Sequence, residues 1–95
     1  MKTKRKVNIE FKKVETLPFL NEMDDNVIYI SDKYGISEHK CLCGCGFRVA
    51  MPISIREWSY KIDSKKRLSM HPSVGNYQYK CKSHYIIKKG VANFV

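Results

Sequence analysis

Three of the four cysteines of this chain lie at alternate positions in the stretch EHKCLCGCGFRV, residues 38–49. The fourth, Cys81, is separated by two residues from His84 in the stretch CKSH. Close pairs of cysteine and histidine from two distant segments are typical of a tetrahedral zinc site. Such a site contributes on the order of 10 kcal/mol to the folding of small zinc peptides. The spacing therefore predicts a small fold built around a structural zinc ion.

Two sets of ligands fit this spacing. Glycines at positions 44 and 46 let the backbone bend around an ion, so the first and third cysteines chelate more comfortably than cysteines one residue apart. The first set is therefore Cys41, Cys45, Cys81 and His84. The alternative set is Cys41, Cys43, Cys45 and Cys81, which leaves His84 free. Either set fills all four positions of the metal, so we expect it to support the fold and not to activate water.

The N-terminus MKTKRKVNIEF is basic and has neither an apolar core region nor a cleavage site of small residues. No apolar run approaches the length of a membrane span. We therefore expect a cytoplasmic protein without membrane contact. In a reducing compartment, clustered cysteines hold a metal or do chemistry more often than they form disulfides. A single bridge to Cys81, or thiols that only pack in the core, are the alternatives.

Apolar and polar residues alternate over residues 7–14 and 57–63, which is the period of half-buried strands. The β-branched and aromatic run at residues 26–31 and the apolar run at residues 47–53 predict two further strands. Helical spacing does not persist for three turns anywhere, although a short turn is expected near residues 17–23. At 95 residues the chain can form one core. The sequence predicts an all-β single domain, residues 1–95, with small antiparallel sheets in a bent or sandwich-like arrangement and a flexible basic tail over residues 1–6.

The stretch HPSVGN, residues 71–76, predicts a turn that could carry a nucleophile. Pro72 fixes its own φ, and the glycine and asparagine at the end of the stretch tolerate positive φ. Such a turn presents Ser73 rigidly and can aim backbone N–H groups at an oxyanion. A serine becomes nucleophilic when a histidine lies within hydrogen-bond reach, and His39 or His84 could supply it. The alternative is a turn without chemistry.

Three motifs carry a resemblance to a known family. HKCLCGCG (39–46), HPSVGN (71–76) and CKSHYIIKKGVANF (81–94) resemble, in order and approximate spacing, the small BubE domain of bacterial ubiquitination-like (Bub) operons, which is also widespread in phage and bacterial genomes. The chain departs from the family pattern at Leu42, where the family has proline, and at Phe94, where it has tryptophan. Neither position is a proposed ligand.

The resemblance implies a zinc-stabilised serine peptidase that processes a ubiquitin-like protein or removes it from conjugates. It implies that Ser73 is the nucleophile and that the cysteine cluster holds zinc. His39 would be the general base, or His84 if four cysteines hold the metal. Ser73 would attack the carbonyl group that ends the ubiquitin-like tail, and backbone amides near Gly75 and Asn76 would bind the oxyanion.

The charge of the chain supports an alternative function. Eighteen Lys and Arg residues against nine acidic residues give a net charge of +9. Many of the basic residues lie in KTKRK, KIDSKKR and KCKSHYIIKK, close to tyrosines. Basic segments beside aromatic side chains are typical of nucleic-acid binding. The alternative is therefore a zinc-containing nucleic-acid-binding or adaptor module without catalytic activity.

Overall fold

The computed structural model describes residues 5–95, so most of the predicted basic tail lies outside the described residues, and Lys6 already belongs to a strand. Ten strands and one 3-10 turn, at Leu20–Glu22, make up this part of the chain. The strands are β1 (Lys6–Asn8), β2 (Glu10–Lys13), β3 (Val27–Ser31), β4 (Ile36–Lys40), β5 (Arg48–Pro52), β6 (Ser59–Ile62), β7 (Leu68–His71), β8 (Val74–Gly75), β9 (His84–Lys88) and β10 (Val91–Phe94). None of the described residues forms a helix long and apolar enough to cross a membrane.

The prediction of an all-β fold is confirmed. The described strands form one sheet in the order β1-β10-β9-β8, a second in the order β2-β3-β4-β5, and the hairpin β6-β7. All neighbours are antiparallel except β2 and β3, which are parallel, so the second sheet is mixed. Strands β8 and β5 each lie at one edge of their sheet, and this places them at the functional site.

The predicted strand over residues 7–14 divides at Ile9 into β1 and β2, which belong to different sheets. Ile9 is buried in the core and donates its backbone N–H to Gly90 in the first sheet, at 3.0 Å. The next residue, Glu10, donates to Asn26 beside the second sheet, also at 3.0 Å. One continuous alternating run therefore joins the two sheets.

The main core lies between the sheets and excludes water from both. Strand β3 is buried along its whole length, because its apolar residues have neighbours on each face. The largest fully buried apolar side chains are Tyr85, Ile28, Ile30, Leu42, Met51, Leu68 and Ile87. Full burial of an aliphatic or aromatic side chain contributes roughly 1.5–3 kcal/mol. Three of these residues lie in or beside the segments that carry the cysteines and His84.

Candidate active site and metal site

The structure brings all four cysteines together. Their sulfur atoms lie within 4.8 Å of one another, with 3.4 Å from Cys41 to Cys43 and 3.8 Å from Cys41 to Cys81. A tetrahedral ion with metal–sulfur bonds of about 2.3 Å places its sulfurs about 3.8 Å apart. The cluster is therefore the right size to hold one metal ion, and none of the four cysteines forms a disulfide.

Two glycines explain how three cysteines from one short segment can share a site. Gly44 and Gly46 have φ values of +93° and +88°, which side chains rarely adopt. The segment curls into a turn closed by hydrogen bonds from Gly44 to the Cys41 carbonyl, 3.1 Å, and from Cys41 to the Phe47 carbonyl, 2.8 Å. The sulfurs of Cys41 and Cys43 therefore point inward beside the third cysteine. The positive φ values of the two glycines therefore let three cysteines of one short segment share a site.

The thiols of the cluster lie in different environments. Hydrogen bonding with Ser83 lowers the pKa of Cys81 to about 6. Burial instead raises the pKa of the Cys43 thiol to about 12. A cation removes this conflict, because metal coordination deprotonates thiols that would otherwise keep their protons. Four thiolate ligands suit zinc or iron, and they do not suit magnesium or calcium.

A shell of buried polar groups surrounds the cluster. The Ser83 hydroxyl lies 3.1 Å from the Cys41 sulfur, and the buried Asn76 side chain donates to Ser83 at 3.1 Å. The same Asn76 nitrogen lies 3.5 Å from the Cys41 sulfur and 3.4 Å from the Tyr85 hydroxyl. Groups of this kind orient metal ligands. Sequence reasoning missed both roles, because serine and asparagine next to a turn are too common to stand out.

His84 lies apart from the metal site, beside the serine. Its Nε2 is 2.7 Å from the Ser73 hydroxyl, and its Nδ1 is 2.8 Å from the Tyr77 hydroxyl. If the Nδ1 proton is donated to Tyr77, Nε2 is free to accept the proton of Ser73, which is the arrangement that a general base requires. The three side chains form a serine–histidine–tyrosine relay. In the sequence, Tyr77 is only one of several tyrosines close to basic residues, so no pattern there predicts its contact with His84.

The pairing of β8 with β9 produces this relay. Gly75 lies directly opposite His84, so Ser73 is its diagonal neighbour on the same face of the sheet. A Cβ atom at Gly75 would lie 3.2 Å from the ring of Tyr77. The absence of a side chain there lets the ring of Tyr77 pack edge-on against His84, with centroids 5.6 Å apart.

His39 does not contact Ser73. It is fully buried on β4, and its Nε2 lies 2.7 Å from the Tyr85 hydroxyl. Burial lowers the pKa of His39 to about 3, so the ring is neutral in the core. Of the two histidines considered as the base, the structure places His84 at the serine and His39 in the core. The reason is the face of the strand on which each side chain lies: His39 faces inward on β4, whereas His84 faces outward on β9.

The main chain of β8 offers one donor toward solvent. The Asn76 N–H is occupied, because it donates to the Ser83 carbonyl at 2.8 Å. In an antiparallel pair, alternate residues direct their N–H groups toward the partner strand, so the N–H of Gly75 points away from β9. Of the two amides expected to bind an oxyanion, Gly75 therefore has the available N–H.

Comparison with known families agrees with the motifs. A family described as "Bacterial ubiquitination-like system serine protease (BubE)" matches residues 13–95, which include every residue of the cysteine cluster and of the relay. No curated protein and no solved structure matches the chain.

Proposed function

Because this chain belongs to the BubE family of serine proteases of bacterial ubiquitination-like systems, we propose that it cleaves the bond that follows the tail of a ubiquitin-like protein. The observation that carries the proposal is the contact of 2.7 Å between the Ser73 hydroxyl and His84 Nε2. Release of the ubiquitin-like protein from a precursor and its removal from a conjugate are the same acyl transfer.

The reaction proceeds in two stages. As the Ser73 oxygen attacks the tail carbonyl, His84 takes the serine proton, and the carbonyl oxygen becomes an oxyanion next to the Gly75 N–H. His84 then gives the proton to the leaving group as its bond to the carbonyl breaks, which leaves an acyl-enzyme. A water molecule, deprotonated by His84, then attacks the acyl carbonyl. The bond to the Ser73 oxygen breaks, the tail leaves as a carboxylic acid, and His84 returns the proton to Ser73.

Tyr77 acts as a positioning residue. Its hydroxyl oxygen accepts a hydrogen bond from the Nδ1–H group of His84 and holds the ring in the tautomer whose Nε2 accepts from Ser73. A neutral phenol stabilises the positively charged imidazolium less than the carboxylate of a serine–histidine–aspartate triad does. The relay should therefore work more slowly than such a triad on an ester or amide of equal reactivity.

Zinc is the ion that we propose for Cys41, Cys43, Cys45 and Cys81, with His84 left free as the base. The size of the cluster and its four thiolates fit zinc, which would join the segment after β4 to the segment before β9. Four protein ligands leave no open position for water. The metal would therefore support the site without entering the chemistry.

A serine-reactive fluorophosphonate tests the nucleophile directly. We expect it to label the protein once, and we expect labelling to be lost in Ser73→Ala and strongly reduced in His84→Gln. Ser54→Ala, at an exposed serine outside the relay, is the matched control and should label normally. Labelling that persists in Ser73→Ala would contradict the proposal. Cleavage of a ubiquitin-like fusion protein by the same variants then tests the substrate.

A second candidate function, nucleic-acid binding, is supported by one basic groove. The hairpins β6-β7 and β9-β10 bring Lys61, Arg67, Lys88 and Lys89 around a cavity of about 560 Å³, which is also lined by Asp63, paired with Arg67 at 2.7 Å. Two of the tyrosines close to the basic segments are engaged elsewhere. Tyr85 is fully buried, and Tyr79 donates to the Arg48 carbonyl at 2.7 Å. The groove therefore offers charge, whereas these tyrosines do not supply a stacking platform.

A further inference from the structure

A groove runs between the edges of the two main sheets, next to the relay. It has a volume of about 420 Å³ and lies between β5 and β8. Gly75 belongs to both features, because it lines the groove and also lies opposite His84. Ser73 immediately precedes Val74, which also lines the groove. A chain lying in this groove would therefore reach Ser73 at its β8 side.

Strand pairing fixes which backbone groups of β5 face the groove. The hydrogen bonds from Cys41 to Phe47 and from Ile53 to Gly35, both 2.8 Å, identify the pairs that bond across β4 and β5. Alternation from these pairs directs the backbone N–H and C=O of Ala50 away from β4, toward the open edge. The small, exposed side chain of Ala50 leaves these two groups accessible.

The positions on either side of Ala50 are already occupied. The Arg48 carbonyl accepts the Tyr79 hydroxyl at 2.7 Å, and the Pro52 carbonyl accepts the Trp58 backbone N–H at 3.1 Å. The open edge of β5 is thus blocked at Arg48 and Pro52. The backbone groups of Ala50, between them, stay free to pair with about one residue of another strand. This pattern limits aggregation through the edge and leaves a defined place for one short strand.

A residue that lines the groove carries an unpaired donor. The indole Nε1 of Trp58 is buried and has no hydrogen-bond partner among the described residues. An unpaired buried donor is costly, so such a group is usually satisfied by a ligand or water. Trp58 is also the single tryptophan of the chain. All tryptophan emission therefore comes from a residue that lines this groove.

The charges inside the groove offset one another. Glu38, which is mostly buried, is paired with Arg48 at 3.2 Å, and both line the groove. Although the protein carries a net charge of +9, this groove is formally neutral. Its recognition therefore depends on backbone hydrogen bonds and small size more than on charge.

We propose that this groove binds the extended tail of the ubiquitin-like protein as an added strand, which pairs with Ala50 and brings its last carbonyl to Ser73. Addition of a strand to an open sheet edge is a common mode of peptide recognition. The substrate class is an extended peptide with small side chains where it passes between Ala50 and Gly75. This inference rests on the proposed function.

The test uses Ser73→Ala protein, which can bind the tail without cleaving it. A synthetic, tryptophan-free peptide of the tail of the ubiquitin-like protein is titrated while Trp58 emission is measured. Peptides methylated on one backbone nitrogen at a time are then compared. Because only the tail residue opposite Ala50 can bond to β5, methylation should weaken binding at that one position, by about three- to ten-fold, and should have little effect at its two neighbours, whose N–H groups point away from β5.

The protein side is tested at Ala50. Ala50→Pro removes the N–H from an edge strand, where proline is tolerated, and should weaken the unmodified peptide by a similar factor. Ala50→Ser keeps the N–H and is the matched control. If Ala50→Pro fails to fold, the methylated peptides still decide the question.

Failure of this inference is distinguishable from failure of the proposed function. A peptide that does not bind, binds without changing Trp58 emission, or shows no single sensitive position in the methylation series would overturn the added strand. Labelling of Ser73 in the wild-type protein by a small fluorophosphonate does not need the groove. Loss of that labelling would instead count against the proposed peptidase.

Discussion

At the scale of single residues, the protein contains two histidines in opposite environments. His39 is fully buried against Tyr85, whereas His84 is partly exposed between Ser73 and Tyr77. Burial disfavours the charged form of the first, and the second has a proton acceptor on one nitrogen and a proton donor on the other. Only the second has the surroundings of a general base.

The burial of His39 predicts a pH dependence of stability. Its pKa is lowered from 6.5 to about 3 in the folded protein, so between these values the unfolded chain binds more protons. Stability is therefore full above pH 6.5 and falls as the pH is lowered, by about 1 kcal/mol between pH 6.5 and about pH 5.5. Urea unfolding at the two pH values measures this change. His39→Gln should remove this contribution, whereas His71→Gln, at an exposed histidine, should keep it. If the free energy of unfolding changes equally with pH in both variants, the prediction is wrong.

The relay predicts a kinetic effect at Tyr77. Tyr77→Phe removes the oxygen that holds His84 Nδ1 and keeps the ring, so kcat should fall by about ten-fold while KM stays nearly constant. Steady-state cleavage of a ubiquitin-like fusion provides both constants. Tyr34→Phe is the matched control, because Tyr34 is 61% exposed and Tyr77 is 62% exposed. An unchanged kcat in Tyr77→Phe would show that the contact with His84 has no catalytic role.

At the scale of strands and turns, the cysteine cluster and the relay share one segment. Residues 76–84 contain Asn76, Cys81 and Ser83 of the metal surroundings together with Tyr77 and His84 of the relay. Strand β8 has only two residues, so pairing alone stabilises this segment weakly. The metal should therefore determine whether the relay assembles.

Metal removal tests this dependence. Chelation, or Cys81→Ser, should lower the free energy of unfolding by several kcal/mol and stop labelling of Ser73 by a fluorophosphonate, because β8 and β9 lose their anchor. Elemental analysis should find about one zinc per chain before chelation, and added zinc should restore labelling after it. A chelated protein that stays folded and still labels at Ser73 would contradict the anchoring role.

The strands could be predicted from the sequence better than their partners. Alternation predicted β6, because half-buried strands have a period of two residues, and the apolar runs at residues 26–31 and 47–53 predicted β3 and β5. The division at Ile9 and the parallel pairing of β2 with β3 could not be predicted, since neither interrupts the alternation. The same limit applies to the site. The spacing of Cys81 and His84 fits two ligands of one metal as well as it fits a ligand and a separate base. Only the position of His84 at the start of β9 turns the histidine toward Ser73.

At the scale of the whole molecule, the net charge of +9 and the neutral groove predict different salt dependences. Cleavage of a tail substrate should change by less than about two-fold between low and moderate salt, because the groove contributes no net charge. Binding of a nucleic acid would fall by on the order of 10³-fold over such a range. Lys88→Glu should weaken only nucleic-acid binding. Cleavage that falls in parallel with nucleic-acid binding would contradict this separation.

The chain passes from the first sheet to the second at Ile9, so the two sheets are joined along one side. Strands β1 and β2 are the outer strands on one side of their sheets, and β8 and β5 are the outer strands on the other. Ile9 thus lies at the side where the sheets are joined, and the groove lies at the opposite side. The angle between the two sheets at Ile9 sets the width of the groove on the other side. A change of side-chain volume at Ile9 should therefore alter which tails fit without touching any residue that contacts them.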